Sequence, residues 1–249
     1  MNMRERNDYH KLDYGDYRTV EQDGVLVDHE DGARIFVNRV YNWMFCGLMV
    51  TSIVSWGVTR LGEQAFKTVL GMSTLLIIAE LVLVIVLSAA VRKMSPPVAG
   101  TLFIAYSVLN GVTLSPIFLV YTQTSIFLAF ASCALMFAAT STFGYLTGMR
   151  LDRIGSYCFM GLIGILIASI VNFFLRSEVL DYIVSYAGIA VFVGLTAWDT
   201  QKLRRIGEAA GEEAETESMK KVAILFALSL YLDFINLFLY LLRIFGRRR

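Results

Sequence analysis

Seven long apolar stretches follow one another along this chain. They span residues 38–59, 70–91, 98–120, 125–148, 155–175, 182–199 and 221–242. Each has about 20 residues, the length that an α-helix needs to cross the hydrocarbon core of a bilayer. Most connections between the stretches are short and leave no room for a soluble domain. The pattern therefore predicts a single membrane domain of seven transmembrane helices.

The composition also indicates a membrane protein. Of the 249 residues, 56% are hydrophobic and 17% are charged, so apolar side chains outnumber those that a soluble core could bury. The formal net charge is only +1, a balance that excludes a nucleic-acid binder acting through phosphate neutralisation. We therefore predict an all-α membrane protein whose immediate partner is the lipid bilayer, with no nucleic acid bound.

The first 34 residues differ from the rest of the chain. They contain nine acidic residues, five basic residues and no apolar run. Such a segment cannot build a packed core, so residues 1–34 are predicted to be a disordered acidic tail and residues 35–249 the membrane domain. A cleavable signal peptide is not expected, because no apolar stretch follows the basic start.

The distribution of Lys and Arg predicts the orientation of the chain. If the tail is cytoplasmic, fifteen of these residues lie on its side of the membrane and seven on the other. Because cytoplasmic loops carry the excess of positive charge, the N-terminus is predicted to be cytoplasmic. Arg247, Arg248 and Arg249 oppose this rule, since seven crossings place them outside. An even number of crossings, with one re-entrant segment, therefore remains an alternative.

Cysteine and histidine residues narrow the chemistry. Cys46, Cys133 and Cys158 lie in apolar segments, where we expect small core residues and no disulfide. Both histidines, His10 and His29, lie in the polar tail. Ser-His catalysis and histidine-based metal sites are therefore excluded from the spanning region.

A few ionisable residues stand out within the apolar segments. They are Glu80, Asp199, Asp233 and, at the end of the second segment, Arg92. A carboxylate at the bilayer centre costs about 2.5–3.5 kcal/mol unless it is protonated, paired or exposed to water. Each of these residues is therefore a functional hypothesis.

Asp233 shares one helical face with three other polar residues. Ser229, Asp233, Asn236 and Tyr240 follow at intervals of four, three and four residues. This face is expected to point into protein or water and to line a pathway. Hydrogen bonding between packed helices is an equal alternative for the Ser, Asn and Tyr side chains.

Arg92, Glu80 and Asn110 extend this set of candidate residues. Arg92 follows Glu80 by 12 residues, about 18 Å of helix, and can reach the level of Asp199; a surface charge that snorkels to the headgroups is the alternative. Glu80 is predicted to line a cavity or to bind a cation from the outer half of the membrane. Asn110 lies six residues before Pro116, and a proline kink suits either a pathway wall or close packing.

Four stretches of the chain stand out as motifs: GTLFIAYSVLNGVTLSP at 100–116, GLIGILIASIVNF at 161–173, WDTQ at 198–201 and LYLDFINLFL at 230–239. Together they resemble the Bax-inhibitor family, the transmembrane Bax inhibitor motif proteins. The last stretch is the most specific. The likeness covers residues 35–249 and is nearest to the proteobacterial inner-membrane members.

The resemblance implies a seven-helix bundle with the last helix central, in the inner membrane. It also implies a pH-sensitive calcium leak, whose sensor in bacterial relatives is a pair of aspartates on helices six and seven with an arginine at the cytoplasmic end of helix two. By position within the motifs these roles carry over to Asp199, Asp233 and Arg92. Glu80 matches an acid found in some relatives, whereas the long connection 200–220 departs from the family pattern.

A leak of calcium or another cation is the leading functional prediction. Hard divalent cations prefer carboxylate and carbonyl oxygens, so Asp199 and Asp233 are the candidate ligands of a permeant or bound calcium ion. No resident cofactor is expected. Other family members modulate a membrane protease or cell death, so a non-conducting regulator of a membrane protease or of a stress response is the alternative.

An enzyme is not expected. Paired aspartates on helices six and seven also occur in intramembrane aspartyl proteases. Here, however, Leu-Tyr-Leu precedes Asp233 in place of Gly-x-Gly, and no Pro-Ala-Leu motif follows it. The choice is therefore between a channel and a regulatory interaction protein.

The aspartate pair also predicts how a channel would be gated. Two carboxylates in a poorly solvated site cannot easily both ionise, so Asp199 and Asp233 are expected to bind protons as a pair. When both are charged, Arg92 holds one of them and keeps helices two, six and seven together. Acid is therefore predicted to loosen the cytoplasmic gate. In the alternative, both aspartates are fixed structural hydrogen-bond partners.

Overall fold

The computed structural model describes residues 29–246, apart from the side chains of residues 29–31, 65, 92 and 212. Its helices are α1 His29–Arg60, α2 Glu63–Gly71, α3 Ser73–Ala90, α4 Pro96–Leu114, α5 Ile117–Val120, α6 Gln123–Leu146, α7 Asp152–Leu175, α8 Glu178–Ala210 and α9 Glu217–Phe245. Short 3-10 turns at Val91–Lys93 and Gly211–Glu215 follow α3 and α8. The all-α fold class is therefore confirmed.

Six helical stretches within the described residues are long and apolar enough to cross a membrane. They are α3, α4 together with α5, α6, α7, α8 and α9. The first predicted segment lies inside α1, but α1 does not reach the same apolar character, since Thr51, Ser52 and Ser55 interrupt its apolar run. A seventh crossing through α1 stays a prediction.

Ion pairs at the two ends of the bundle indicate which helix termini lie together. Arg205, near the end of α8, pairs with Asp152 at the start of α7 at 3.0 Å. Arg243, near the end of α9, pairs with Asp181 near the start of α8 at 3.0 Å. Helices α7, α8 and α9 therefore alternate in direction, as short connections require.

Helix α9 is the most buried of the six candidate spans. It packs against α1, α4, α6 and α8, and 61% of its most apolar 18-residue window is buried. In α3 and in α7 only 6% of the residues of the apolar stretch are buried. These two helices turn large apolar side chains outward, including Phe173 and Phe174 of α7, as contact with lipid tails allows.

Helix α8 is longer than the apolar pattern predicts. The sixth apolar stretch ends at residue 199, whereas α8 continues to Ala210 through most of the predicted long connection. Arg204 and Glu208 stabilise the extension as an i,i+4 ion pair at 2.6 Å. The prediction of a long loop is wrong because hydropathy marks the part of a helix that lies in lipid, not the end of the helix. Asp199 thus lies well inside α8.

Helix α1 begins before the predicted start of the membrane domain. Its first residue is His29, so its first turn lies within the stretch 1–34 that was assigned to the tail. Phe36 is fully buried, and Arg39 Nη1 donates a hydrogen bond to the Ala214 carbonyl at 2.7 Å. The helix starts early because it packs against the turn between α8 and α9. The other tail residues, 1–28, lie outside the described residues.

Two of the predicted helices are interrupted. The second apolar stretch divides between α2 and α3 at Met72. The third is broken between α4 and α5 at Pro116, which lacks an amide donor. Ser115 Oγ donates to the Val112 carbonyl at 2.7 Å and satisfies one acceptor at the end of α4. The expected proline kink is thus an interruption of the helical hydrogen bonds, while the backbone of Ser115 and Pro116 stays in the right-handed helical region.

Candidate functional site

Asp199 lies at the contact between α8 and α9. It precedes Ala210, the end of α8, by 11 residues, and Ser229 follows Glu217, the start of α9, by 12 residues. The antiparallel helices therefore bring the Asp199 and Ser229 side chains to the same level. Ser229 Oγ donates a hydrogen bond to Asp199 Oδ2, and Asp199 is only 7% exposed.

Asp233 lies one turn deeper on α9 and completes an aspartate cluster made of Asp199, Ser229 and Asp233. It is 5% exposed, and its carboxylate is close enough to that of Asp199 for the two charges to interact. Asp233 Oδ2 is buried without a hydrogen-bond partner among the described residues. A charged oxygen in that position is costly, so a proton or a cation on the cluster would stabilise it.

A cavity of about 300 Å³ adjoins Asp199. Ser88 of α3, Asp199 and Lys202 of α8 and Ser229 of α9 contribute its polar wall. The Lys202 ammonium lies 5.1 Å from the centre of the Trp198 ring and interacts electrostatically with Asp199. Sequence reasoning missed Lys202 as a partner of Asp199, although its i+3 spacing places it on the same face of the helix.

Arg92, the predicted partner of the aspartates, lies in the 3-10 turn that follows α3. Its side chain is outside the described residues, so the predicted contact with Asp199 stays a prediction. Ser88, one turn earlier on α3, does line the cavity beside Asp199. The end of α3 is therefore near the aspartate cluster.

Asn236 and Tyr240 share the helical face of Ser229 and Asp233 but make different contacts. Asn236 Nδ2 donates to the Leu232 carbonyl of its own helix at 2.8 Å. The Tyr240 ring packs on α8, with its centre 5.9 Å from that of Phe192, and it fills the space that a side chain at Gly188 would occupy. Tyr240 therefore fixes the α8–α9 packing, and neither residue lines the cavity beside Asp199.

Gln201 is a second residue whose role sequence reasoning missed. Its Oε1 accepts a hydrogen bond from the Leu151 amide at 2.9 Å, and its Nε2 donates to the Met149 carbonyl at 2.6 Å. Both partners lie in the connection between α6 and α7. Gln201, two residues after Asp199, thus holds that connection against α8. This contact gives the WDTQ stretch a structural role.

The opposite face of α9 carries a second polar group, the tyrosine cluster of Thr51, Asn110 and Tyr231. The Tyr231 hydroxyl lies 2.7 Å from Thr51 Oγ1 and donates to Asn110 Oδ1 at 3.1 Å. Thr51 Oγ1 also lies 2.9 Å from the Ser107 carbonyl. The hydroxyl groups of Thr51 and Tyr231 thus supply two protons for three oxygen–oxygen contacts. The Tyr231 side chain is fully buried.

Glu80 of α3 adjoins the tyrosine cluster and not the aspartate cluster. The Asn110 and Thr113 side chains lie close enough to its carboxylate to interact with it, while the Thr113 hydroxyl donates to the Leu109 carbonyl of its own helix at 3.2 Å. Its Oε1 is buried without a partner among the described residues. The structure therefore brings the predicted residues Glu80 and Asn110 together, but separates them from Asp199 and Asp233 by the width of α9.

No group of three or more His, Cys, Asp or Glu side chains that the structure describes, which leaves out Glu212, is placed to hold a metal ion. The calcium prediction for Asp199 and Asp233 thus concerns two carboxylates. A calcium ion takes six to eight oxygen ligands, so water molecules would have to complete its coordination shell.

Buried acids between apolar helices define this chain as a multipass membrane protein with an internal polar site. The family model described as "Inhibitor of apoptosis-promoting Bax1" matches residues 33–249. The chain therefore belongs to the Bax inhibitor family, as the four sequence stretches predicted.

Three relatives illustrate how closely the chain follows this family. The inner membrane protein YbhL of Escherichia coli K12 is 49% identical over 90% of this chain and 96% of its own length. An uncharacterized protein of Borreliella burgdorferi is 38% identical over 93% of this chain and 97% of its own length. The uncharacterized protein RP147 of Rickettsia prowazekii is 41% identical over 88% of this chain and 92% of its own length.

Proposed function

We propose that this protein is a cation leak pathway of the inner membrane, with calcium as its preferred ion and the aspartate cluster as its pH-sensitive gate. The observation that carries the proposal is the electrostatic interaction of Asp199 with Asp233 across the α8–α9 contact, with Asp233 Oδ2 buried and without a hydrogen-bond partner among the described residues. The E. coli relative is described as an inner membrane protein, which supports the location.

The gate rests on the charges around the aspartate cluster. Two buried carboxylates repel each other when both are ionised, so a proton or a divalent cation stabilises the pair. Lys202 attracts Asp199 in the ionised state and so holds this wall of the cavity together; Arg92 is the second proposed cation. A proton on the pair removes part of that attraction. Acid is therefore expected to loosen the contacts of α8 and to raise flux.

The proposed ion follows from the oxygen donors of the cluster. Calcium binds carboxylate oxygens and keeps water ligands where protein ligands are few. Asp233 Oδ2, which has no hydrogen-bond partner among the described residues, offers one carboxylate oxygen, and the cavity beside Asp199, which Asp233 itself does not line, has room for water. A site with two carboxylates binds weakly enough for the ion to leave again, as conduction requires.

The proposed topology has seven crossings, a cytoplasmic N-terminus and α9 at the centre. The alternating directions of α7, α8 and α9 and the contacts of α9 with four other helices support it. Single cysteines at Arg39 and at Gly246, labelled from either side of sealed vesicles, test the topology. Labelling from opposite sides supports an odd number of crossings, and labelling from the same side contradicts it.

The experiment that tests the proposed function is calcium flux into liposomes containing the full chain and a calcium dye. We expect flux to rise with acid, by up to about tenfold per pH unit for a gate of one proton. Asp199→Asn and Asp233→Asn should flatten this dependence, because an amide does not titrate. Asp181→Asn is the matched control, since Asp181 pairs with Arg243 at the other end of α8.

Two results would contradict the proposal. Flux no higher than that of protein-free vesicles from about pH 5 to about pH 8 would remove the leak and favour the non-conducting regulator of a membrane protease. Unchanged pH midpoint and slope in both Asn variants would remove the aspartate gate even if the protein conducts. The proposal assigns the protein no catalysis and no resident cofactor.

A further inference from the structure

A groove of about 470 Å³ opens between α1, the break from α4 to α5, α6 and α9. Most of its wall is aliphatic or aromatic, with Leu48, Ile117, Phe130 and Phe234 contributed by four different elements. It lies at the proline break, where α4 ends and leaves space beside α1. An apolar groove on a membrane-spanning bundle is open to lipid tails.

Ser55 of α1 is a buried hydroxyl in the wall of this groove. It is 3% exposed, and its Oγ has no hydrogen-bond partner among the described residues. The neighbouring hydroxyls differ, because Ser52 Oγ donates to its own helix at Leu48 and Thr51 belongs to the tyrosine cluster. An unpaired buried donor is destabilising unless a bound molecule supplies an acceptor.

The mouth of the groove is aromatic and cationic. Trp56 lines it and is 54% exposed, and the Arg60 guanidinium lies 4.8 Å from the centre of the Trp56 ring. No acid among the described side chains pairs with Arg60. Trp and Arg at the end of a spanning helix are typical of the headgroup region of a bilayer.

The dimensions fit one lipid leaflet. From Leu48 to Trp56 the groove follows eight residues of α1, about 12 Å, close to half of the hydrocarbon core. Arg60 lies one turn beyond Trp56, and Ser55 lies about 7.5 Å below Arg60 along the helix axis. Along α1 the Arg60 guanidinium therefore lies outermost, the Ser55 hydroxyl lies next, and the apolar part of the groove lies innermost.

We propose that this groove binds one acyl chain of an anionic phospholipid from the leaflet at the end of α1. Arg60 pairs with the lipid phosphate and Ser55 donates a hydrogen bond to an ester carbonyl of the same lipid. Leu48, Phe130 and Phe234 surround its hydrocarbon tail. This lipid site is separate from the aspartate cluster and does not depend on the proposed leak.

Tryptophan quenching by brominated lipids tests the site. Of the three Trp residues, Trp43 and Trp198 are replaced by Phe, so that Trp56 reports on the groove. In vesicles of phosphatidylcholine, brominated phosphatidylglycerol should occupy the site about fivefold better than brominated phosphatidylcholine, the effect of one arginine beside an anionic lipid. Arg60→Gln should reduce this ratio to about one.

Arg176→Gln is the matched control, because Arg176 is an exposed arginine at the end of α7, outside the groove. It should leave the fivefold ratio unchanged. Equal quenching by the two brominated lipids, or a preference that survives Arg60→Gln, overturns the proposal.

Native mass spectrometry of the otherwise unaltered chain gives an independent measurement. The protein released from nanodiscs should retain an anionic phospholipid, and Ser52→Phe, at an exposed position in the groove wall, should remove it by filling the groove. Release without lipid, a dimer in place of the lipid adduct, or full lipid retention in Ser52→Phe each contradicts the site.

Discussion

The aspartate cluster and the tyrosine cluster lie on opposite faces of α9 and differ in how fully they are hydrogen bonded. Tyr231 follows Ser229 by two residues and precedes Asp233 by two residues. Two residues are about 200° around an α-helix, so the Tyr231 side chain points to the opposite side. Its hydroxyl has partners on α1 and α4. Asp233, by contrast, keeps one buried carboxylate oxygen without a hydrogen-bond partner in the part of the chain that the structure describes.

The difference separates structural hydrogen bonding from a site that can change state. The hydroxyl contacts of the tyrosine cluster join α1, α4 and α9 and hold these helices in register, whereas the adjoining Glu80 keeps one buried carboxylate oxygen without a partner among the described residues. A cluster with two acids and one hydroxyl donor is incomplete, so it gains stability from a proton or a cation. Burial alone does not distinguish the two clusters, because Tyr231 and Asp233 are both buried.

The largest expected effect is on the tyrosine cluster. Tyr231→Ala should lower the free energy of unfolding by about 3–5 kcal/mol, because it removes a fully buried ring that packs edge-on against Phe103 and Tyr106. Unfolding in mixed micelles measures this loss. Tyr186→Ala, at a position 62% exposed, is the control and should have little effect.

Asp233→Asn sharpens this first comparison. The variant replaces a buried carboxylate that has too few hydrogen-bond donors around it by a neutral amide. It should therefore leave the free energy of unfolding unchanged or raise it. A loss as large as that of Tyr231→Ala would mean that Asp233 is a structural residue of the same kind, and the contrast between the clusters would fail.

A smaller effect is expected for Ser229→Ala. The variant removes the hydrogen bond that favours the charged form of Asp199, so less acid is needed to protonate the cluster. The midpoint of the pH dependence of flux should move to higher pH by about one unit, since a hydrogen bond to a charged group contributes about 1.5 kcal/mol or more. Ser88→Ala, at the same cavity, is the control. A midpoint that stays in place or moves to lower pH contradicts the role of Ser229.

The smallest effect is expected for the cations near the cluster. Lys202→Gln should raise flux at alkaline pH by about two- to fivefold, because the lysine of this charge pair is exposed and its attraction to Asp199 is weakened by solvent. Arg92→Ala is expected to act in the same direction. Lys220→Gln, which removes a lysine at the start of α9 outside the cavity wall, serves as the control. Lower flux at alkaline pH in Lys202→Gln would contradict a holding role for this lysine.

The sequence predicts the helical class and the polar face of α9 well. Apolar runs of about 20 residues mark helices reliably because each backbone group must be paired inside the membrane. The spacing of Ser229, Asp233 and Tyr240 predicts one face, and Ser229 and Tyr240 both contact α8 from it. Helix geometry alone fixes which side chains share this face, whereas its packing against α8 is seen only in the structure.

The approach of Asp199 to Asp233 could not be predicted from hydropathy. It depends on the length of α8 beyond the lipid-embedded part, which an ion pair between Arg204 and Glu208 and a polar anchor at Gln201 stabilise. These side chains look like loop residues in a hydropathy profile. The tyrosine cluster was missed for a related reason, since Thr51 and Tyr231 are far apart in the chain and neither carries a charge.

Infrared spectroscopy of the purified protein tests the central idea most directly, because a protonated carboxyl group has a carbonyl band that a carboxylate lacks. Titration from about pH 5 to about pH 8 should change such a band in parallel with calcium flux. The pH midpoint of this band should move in both Asp199→Asn and Asp233→Asn, because each leaves a single aspartate without its charged neighbour, and it should stay in place in Glu80→Gln. A spectrum without a titrating carboxyl band, or a band that only Glu80→Gln removes, would contradict a shared proton on the aspartate pair.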